Sequence, residues 1–275
     1  MTESFVRVTV RVPVERAEEA RAAALELVPG GFEESEERDL VELALYVGTG
    51  RVESIREVFP EAETAAIEPG WEDAWRAFHR PVRVGGIWIG PPWEHPPEGE
   101  PSVVIDPGRA FGTGAHATTR LCVELLATAP RGSLLDVGCG SGVLAIAGAR
   151  LGFGSLVAVD HDPVAVEVTR ANAATNGVAV EARVVDALSH PLPRTDVAVA
   201  NILLGVVQQV LPRIAAGHAI TSGYLVGDRP EAAGWKWVDR REAAGWAADL
   251  FTRDGGACCA APRTVTYAPN RQRRR

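Results

Sequence analysis

Residues 5–12, FVRVTVRV, alternate apolar and polar side chains, the period of a strand with one buried face. The stretch 15–27, ERAEEARAAALEL, is dense in helix formers and is stopped by Gly30-Gly31. FEESEE and LVELALYV then read as paired strands, GRVESIREVF (50–59) as a second helix and ETAAIE (63–68) as a closing strand. The order βαββαβ is that of the ferredoxin-like split unit, which assigns residues 1–68 to a small α+β domain.

Residues 69–101 interrupt this regularity with Trp, Pro and Gly and read as a linker. WEDAWRAFHRP (71–81) predicts a short helix stopped by Pro81, VRVGGIWIGPPW (82–93) a hairpin, and EHPPEGEP (94–101) a surface loop. Trp71, Trp75, Trp88 and Trp93 can line a substrate groove, but burial of the linker against a domain is the simpler account.

From Leu134 onward the period changes again. Nearly continuous apolar strands, LLDVG, LVAVD, VEARVVD, DVAVANIL and AITSGYL, alternate with helical stretches such as GVLAIAGARLG and PVAVEVTRANAATNG. That alternation predicts a parallel, doubly wound sheet, so residues 102–254 form an α/β, Rossmann-like domain. After Gly227 the helical signal weakens, and KWVDRREAA, WAADLFTR and TVTYAP read as strands. Residues 255–275 form an extension whose end, NRQRRR, reads as a solvated terminus rather than an RNA contact.

Composition narrows the function classes. The chain has 275 residues, 46% hydrophobic and 23% charged, which suits one large domain and one small one. Its 36 acidic against 28 basic residues give a net charge of −8, a poor balance for gripping nucleic acid through its phosphates. Lys236 is the sole lysine, and with the abundance of Ala this reads as composition bias rather than function. No apolar run reaches bilayer-spanning length and no secretory signal opens the chain, so the expected location is the cytoplasm. Cys122, Cys139, Cys258 and Cys259 lack metal-ligand spacing, so reduced thiols and no bound metal are expected.

The most informative stretch is Leu134-Leu135-Asp136-Val137-Gly138-Cys139-Gly140-Ser141-Gly142, an apolar strand running into three alternate glycines and then a helix. Glycines there allow a sharp turn and close approach of a ligand at the carboxyl edge of the sheet. A dinucleotide-binding turn is spaced G-x-G-x-x-G, and here its third position is Val143. The G-x-G-x-G spacing, with Asp136 two residues ahead, is the form found where S-adenosylmethionine binds. Asp160 ends the next strand, 22 residues after Gly138, where a carboxylate can accept both ribose hydroxyls, although that feature alone suits NAD equally. Asp186, at the end of the third strand, either lies near an adenine amine or caps a turn.

Two further strings extend the pattern. Asp106-Pro107-Gly108-Arg109-Ala110-Phe111-Gly112-Thr113-Gly114-Ala115-His116-Ala117-Thr118-Thr119 lies upstream of the glycines, and Val199-Ala200-Asn201-Ile202-Leu203 lies on the fourth strand. With the glycine motif they resemble the bacterial methyltransferases of ribosomal protein L11, the PrmA family, over nearly the whole chain. Ala115 and Ala117 depart from the Thr and Pro frequent in that family. The resemblance implies trimethylation of α-amino and lysine ε-amino groups on ribosomal protein L11, with the N-terminal domain recognising the substrate. It also implies cofactor contacts at Thr119, Gly138, Asp160 and Asn201, to which Thr113, Asp136, Gly140 and Asp186 are added as expected contacts.

Asn201 is the expected catalytic residue: its amide oxygen can accept a hydrogen bond from the substrate amine and aim the lone pair at the methyl group. It lacks the Pro-Pro-aromatic that often follows, and a strand-end Asn satisfying a turn is the alternative. Phe111 and His116 are the candidate substrate contacts; His116 can accept a proton or serve as a structural histidine. Thr118 or Thr119 is expected to cap a helix over 118–128. The competing functions are a related enzyme acting on another protein lysine or a small amine, and a non-catalytic cofactor-binding interaction module.

Overall fold

The computed structural model describes residues 5–28, 32–37, 39–67, 80–106 and 114–253. Strand β1 (Phe5–Pro13) pairs antiparallel along its whole length with β3 (Leu40–Gly48), and on its other side with β4 (Glu63–Ala66). With β2 (Glu33–Glu37) outside β3, the sheet runs β2-β3-β1-β4. Val8, Val10 and Val12 turn to one face, where they meet Val41, Leu43 and Leu45 under helices α1 (Ala17–Leu27) and α2 (Val52–Val58). Arg7 and Arg11 turn to the other face and pair with Glu42 and Glu63 at 2.8–2.9 Å. The period-2 pattern thus produced the expected βαββαβ unit. Both helices start two residues later than 15 and 50, because each is led in by a 3-10 turn (Val14–Arg16 and Thr49–Arg51). Neither has a side chain capping its first turn, and the tighter turn takes up the free N–H groups instead.

The hairpin expected at 82–93 is present as β5 (Val82–Val84) and β6 (Ile87–Gly90), turned by Gly85 and Gly86 at φ +60° and +79°. A third strand, β7 (Ser102–Val104), pairs parallel with β6. Val84, Ile87 and Ile89, from the stretch read as linker, share a core with Val103, Ile105 and helix α3 (Ala117–Thr128). The helix expected at 71–81 lies outside the described residues except for its last two positions, and so does the strand TVTYAP.

The large sheet runs in the order β10 (Glu181–Val184), β9 (Leu156–Asp160), β8 (Leu134–Val137), β11 (Thr195–Asn201), β12 (Ala216–Leu225), β14 (Trp246–Arg253) and β13 (Trp235–Ala243). The parallel strands β8, β9, β10, β11 and β12 alternate with α4 (Val143–Arg150), α5 (Pro163–Thr175) and α6 (Leu204–Val210). Leu134, Val197, Val199 and Ile220 pack one face against α3 and α4, while Leu135, Val137, Ala198 and Ala200 pack the other against Val210 and Leu211. Burial on both faces is why β8, β9 and β11 read as nearly continuous apolar runs, whereas β10 at the sheet edge is mostly exposed. The strand expected to reach Leu203 stops at Asn201, and α6 begins at Leu204.

No helix follows β12 among the described residues: 226–234 connect directly to β13 and β14, an antiparallel pair. Asp249, 1% exposed in this pair, receives Trp237 Nε1 and Tyr224 OH at 2.9 Å and Arg240 Nη1 at 3.2 Å, so the buried carboxylate is fully met. A cleft of about 180 Å³ beside it is lined by Arg229, Trp235, Trp237 and Phe251 and holds none of the candidate residues.

Candidate functional site

The carboxyl ends of β8, β9 and β11 bring Asp136, Gly138, Gly140, Asp160 and Asn201 to one edge of the sheet. After β8 the chain passes through Gly138, Gly140 and Gly142 at φ +71°, +52° and +78°, backbone that a side chain resists. Gly138 and Cys139 donate to the Val159 carbonyl at 2.8 and 3.1 Å, anchoring the turn to β9. Helix α5 pins it from the side: Thr169 Oγ1 donates to the Gly140 carbonyl at 2.9 Å and Asn172 Nδ2 to the Ser141 carbonyl at 2.9 Å. Thr169 and Asn172 are buried, and sequence reading missed both. Their signal was two polar residues three apart on the inner side of a helix whose other inner residues are apolar.

Asp160 closes the turn from the end of β9. Its side chain is 10% exposed, Oδ2 accepting the Gly140 N–H and Oδ1 the Asp162 N–H, each at 3.0 Å. A carboxylate oxygen accepts more than one hydrogen bond, so both oxygens keep capacity toward a ligand over the turn.

Asp136 sits beneath the turn instead. It is 1% exposed, and Oδ2 accepts the Ala145 N–H of α4 at 3.1 Å. Burial pushes its carboxyl up to about 7, against that hydrogen bond and with a smaller push from Asp160. A raised folded-state value stabilises the fold fully below the unfolded pKa of about 3.9, and this is lost as pH rises toward 7. The Tm of Asp136→Asn, compared with the unsubstituted chain by calorimetry, should therefore gain several degrees between pH 5 and pH 8. A difference independent of pH would show that this carboxyl titrates normally.

The second group of residues stands on α3 and β11. Thr119, wholly buried, faces Asn201, whose Nδ2 donates to Thr119 Oγ1 at 3.5 Å. Helix α3 starts at Ala117, and its N-cap is neither Thr118 nor Thr119 but His116, whose Nδ1 accepts the Thr118 N–H at 3.4 Å. Burial, aided by the nearby Arg120 guanidinium, lowers the His116 pKa, so the ring is held neutral and suited to this acceptor role. It packs edge-on against Trp246 with centroids 5.1 Å apart. These bonds match the structural alternative weighed for His116.

Asp186 lies two residues past the end of β10, exposed, with Oδ1 on the Leu188 N–H at 2.9 Å and Oδ2 on the Ser189 hydroxyl at 2.6 Å. These bonds match the turn-capping alternative. The Ser189 hydroxyl, followed by the Leu188 N–H, lowers its pKa. Phe111 and Thr113 lie outside the described residues. Burial drives the thiols of Cys122 and Cys139 far above their usual range, which removes them as nucleophiles. Among the described residues no cluster of His, Cys, Asp or Glu could hold a metal ion, and no helix is long and apolar enough to cross a membrane.

Residues 32–253 match the family model described as ribosomal protein L11 methyltransferase (PrmA). Among curated relatives, a ribosomal protein L11 methyltransferase of Myxococcus xanthus is 34% identical over 78% of this chain and 84% of its own length. One from Symbiobacterium thermophilum is 43% identical over 60% of this chain, and the match spans only 57% of that relative. The crystal structure of a ribosomal protein L11 methylase from Lactobacillus delbrueckii subsp. bulgaricus is similar at TM-score 0.57 and 28% identity, covering 61% of this chain and 95% of that one.

Proposed function

This chain belongs to the ribosomal protein L11 methyltransferase (PrmA) family, and from that premise we propose that it transfers methyl groups from S-adenosylmethionine to amino groups of ribosomal protein L11. The observation that carries the reading is Asp160, braced by backbone N–H groups against three left-handed glycines at the sheet edge where the Asn201 amide also ends its strand. A protein substrate of the ribosome sets the reaction in the cytoplasm.

The residues present fit an adenosyl cofactor. The glycine turn lets a ligand approach the main chain closely, and the Asp160 oxygens have spare acceptor capacity for two ribose hydroxyls. When bound, S-adenosylmethionine supplies an electrophilic methyl group on a sulfonium. Val143 opens α4 where the dinucleotide fingerprint needs its third glycine, which disfavours NAD.

The protein's part is to present a neutral amine in line with that methyl group. Lysine has a pKa of about 10.4 in water, and desolvation at the site lowers it without a dedicated base. The Asn201 Nδ2 is turned to Thr119, which leaves Oδ1 to accept an N–H of the incoming amine and direct its lone pair. Asp136 and the helix residues Thr169 and Asn172 hold the turn in shape for this.

Residues 1–68 are assigned to substrate selection. Their core, from Val8 to Ala62, includes no residue of the large sheet's core. A chain beginning near Glu68 should bind S-adenosylmethionine in calorimetry as the full chain does, yet methylate intact ribosomal protein L11 at least about 10-fold more slowly, since remote binding energy is lost. Mass spectrometry of the methylated protein reads both rate and sites. Equal rates and site patterns would remove the N-terminal unit from substrate choice and favour a small-amine enzyme. No methylation by the full chain would overturn the proposed substrate.

A further inference from the structure

Ile202, directly after Asn201, lies one residue past the end of β11 and is not left to the turn that follows. It is instead enclosed by two glycines with left-handed backbone, Gly138 of the cofactor turn at φ +71° and Gly223 of β12 at φ +100°. A Cβ on Gly138 would overlap Ile202 Cγ2, and a Cβ on Gly223 would overlap the Ile202 carbonyl. The β12–β14 register shifts between Ser222 and Tyr224, so Gly223 sits at an irregularity of that pairing. The Ile202 N–H donates to the Ser222 carbonyl at 3.1 Å, completing the clamp.

We propose that Ile202 is a positioning residue: clamped between Gly138 and Gly223, it fixes the spacing between the cofactor turn and the Asn201 amide. The inference rests on the methyl-transfer reading above and deepens it. The Ile202 side chain bears on the cofactor side, while its main chain continues from the residue that receives the amine. A displacement of about 1 Å between donor and acceptor is enough to cost on the order of 100-fold in rate. The turn itself is independently pinned by Thr169 and Asn172, so loosening Ile202 should move the acceptor side more than the cofactor side.

The test uses the full chain with S-adenosylmethionine and ribosomal protein L11, comparing Ile202→Ala, Ile202→Val and Gly223→Ala. Ile202→Ala should lower turnover on the order of 10–100-fold while the calorimetric Kd for S-adenosylmethionine changes less than about 3-fold. Ile202→Val keeps the γ-methyl that reaches Gly138 and should recover most of the turnover. Gly223→Ala, if it folds, should repeat the alanine pattern. Equal losses of turnover and cofactor affinity, or a valine variant no better than alanine, would overturn the proposal. A second readout does not depend on catalysis: the side-chain amide resonance of Asn201, identified by its absence in Asn201→Asp. It should shift in Ile202→Ala and stay in place in Ile202→Val, and an unmoved resonance in Ile202→Ala rejects the clamp. Should the unsubstituted chain transfer no methyl group, the functional reading fails, and the resonance still decides whether Ile202 positions the amide.

Discussion

Asp160→Ala is expected to weaken S-adenosylmethionine binding about 100-fold or more. Two hydrogen bonds from ribose hydroxyls to a charged carboxylate are each worth about 1.5–3 kcal/mol, and both disappear with the side chain. A second loss adds to the first, because the carboxylate also receives the Gly140 N–H and so fixes the turn on which the ligand rests. Asp160→Asn separates the two effects. It retains a carbonyl oxygen for one backbone N–H but presents an NH₂ group where the other oxygen accepts, so it should fall between wild type and alanine. Calorimetry with S-adenosylmethionine, its demethylated product and NAD checks the expectation. Tight binding of NAD together with no response to S-adenosylmethionine would reverse the cofactor assignment. Unchanged binding by Asp160→Ala would remove Asp160 from the site.

Asn201→Ala should leave the cofactor nearly as tightly bound, with Kd within about 3-fold, and lower turnover on the order of 100-fold. The reason lies in its two ends. Nδ2 is engaged with Thr119 inside the protein, and Oδ1 is the end available to the amine. Truncation removes the amine's acceptor without disturbing the glycine turn, which is held by Val159, Thr169 and Asn172. Turnover measured at saturating ribosomal protein L11 distinguishes this from weaker substrate binding. A parallel fall in cofactor affinity and turnover would make Asn201 a cofactor contact alone, and unchanged turnover would leave it as a strand-end residue.

How far the site was legible depended on whether its parts are local in the chain. The glycine turn was, because the spacing of Gly138, Gly140 and Gly142 carries its own conformational meaning and all three hold positive φ. Asp160 was, because a strand of fixed length delivers the next residue to the same edge. The roles of His116 and Asp186 stayed open in sequence, since a ring nitrogen or a carboxylate serves a ligand or a backbone N–H equally well. In the structure both bond main-chain N–H groups within two residues of themselves. The stretch from Val82 to Gly90 looked like linker because its glycines and the flanking Pro81, Pro91 and Pro92 hide four strongly buried side chains, Val84, Ile87, Trp88 and Ile89.

The elements and their order could be read along the chain: a period-2 strand pattern followed by helix formers in the first unit, and continuous apolar strands alternating with helices in the second. Those are properties of neighbouring residues, dictated by backbone sterics and by burial of one face or two. The sequence also specified the turn after β8, since glycine is the residue that most readily holds the positive φ found at Gly138, Gly140 and Gly142. Tertiary structure alone decided which residues meet across long intervals. Ile202 between Gly138 and Gly223, Thr119 against Asn201, and Thr169 under Gly140 join positions tens of residues apart. No local period encodes such contacts: they exist because parallel strands place their carboxyl ends side by side, and close packing then requires each neighbour to fit the space the others leave.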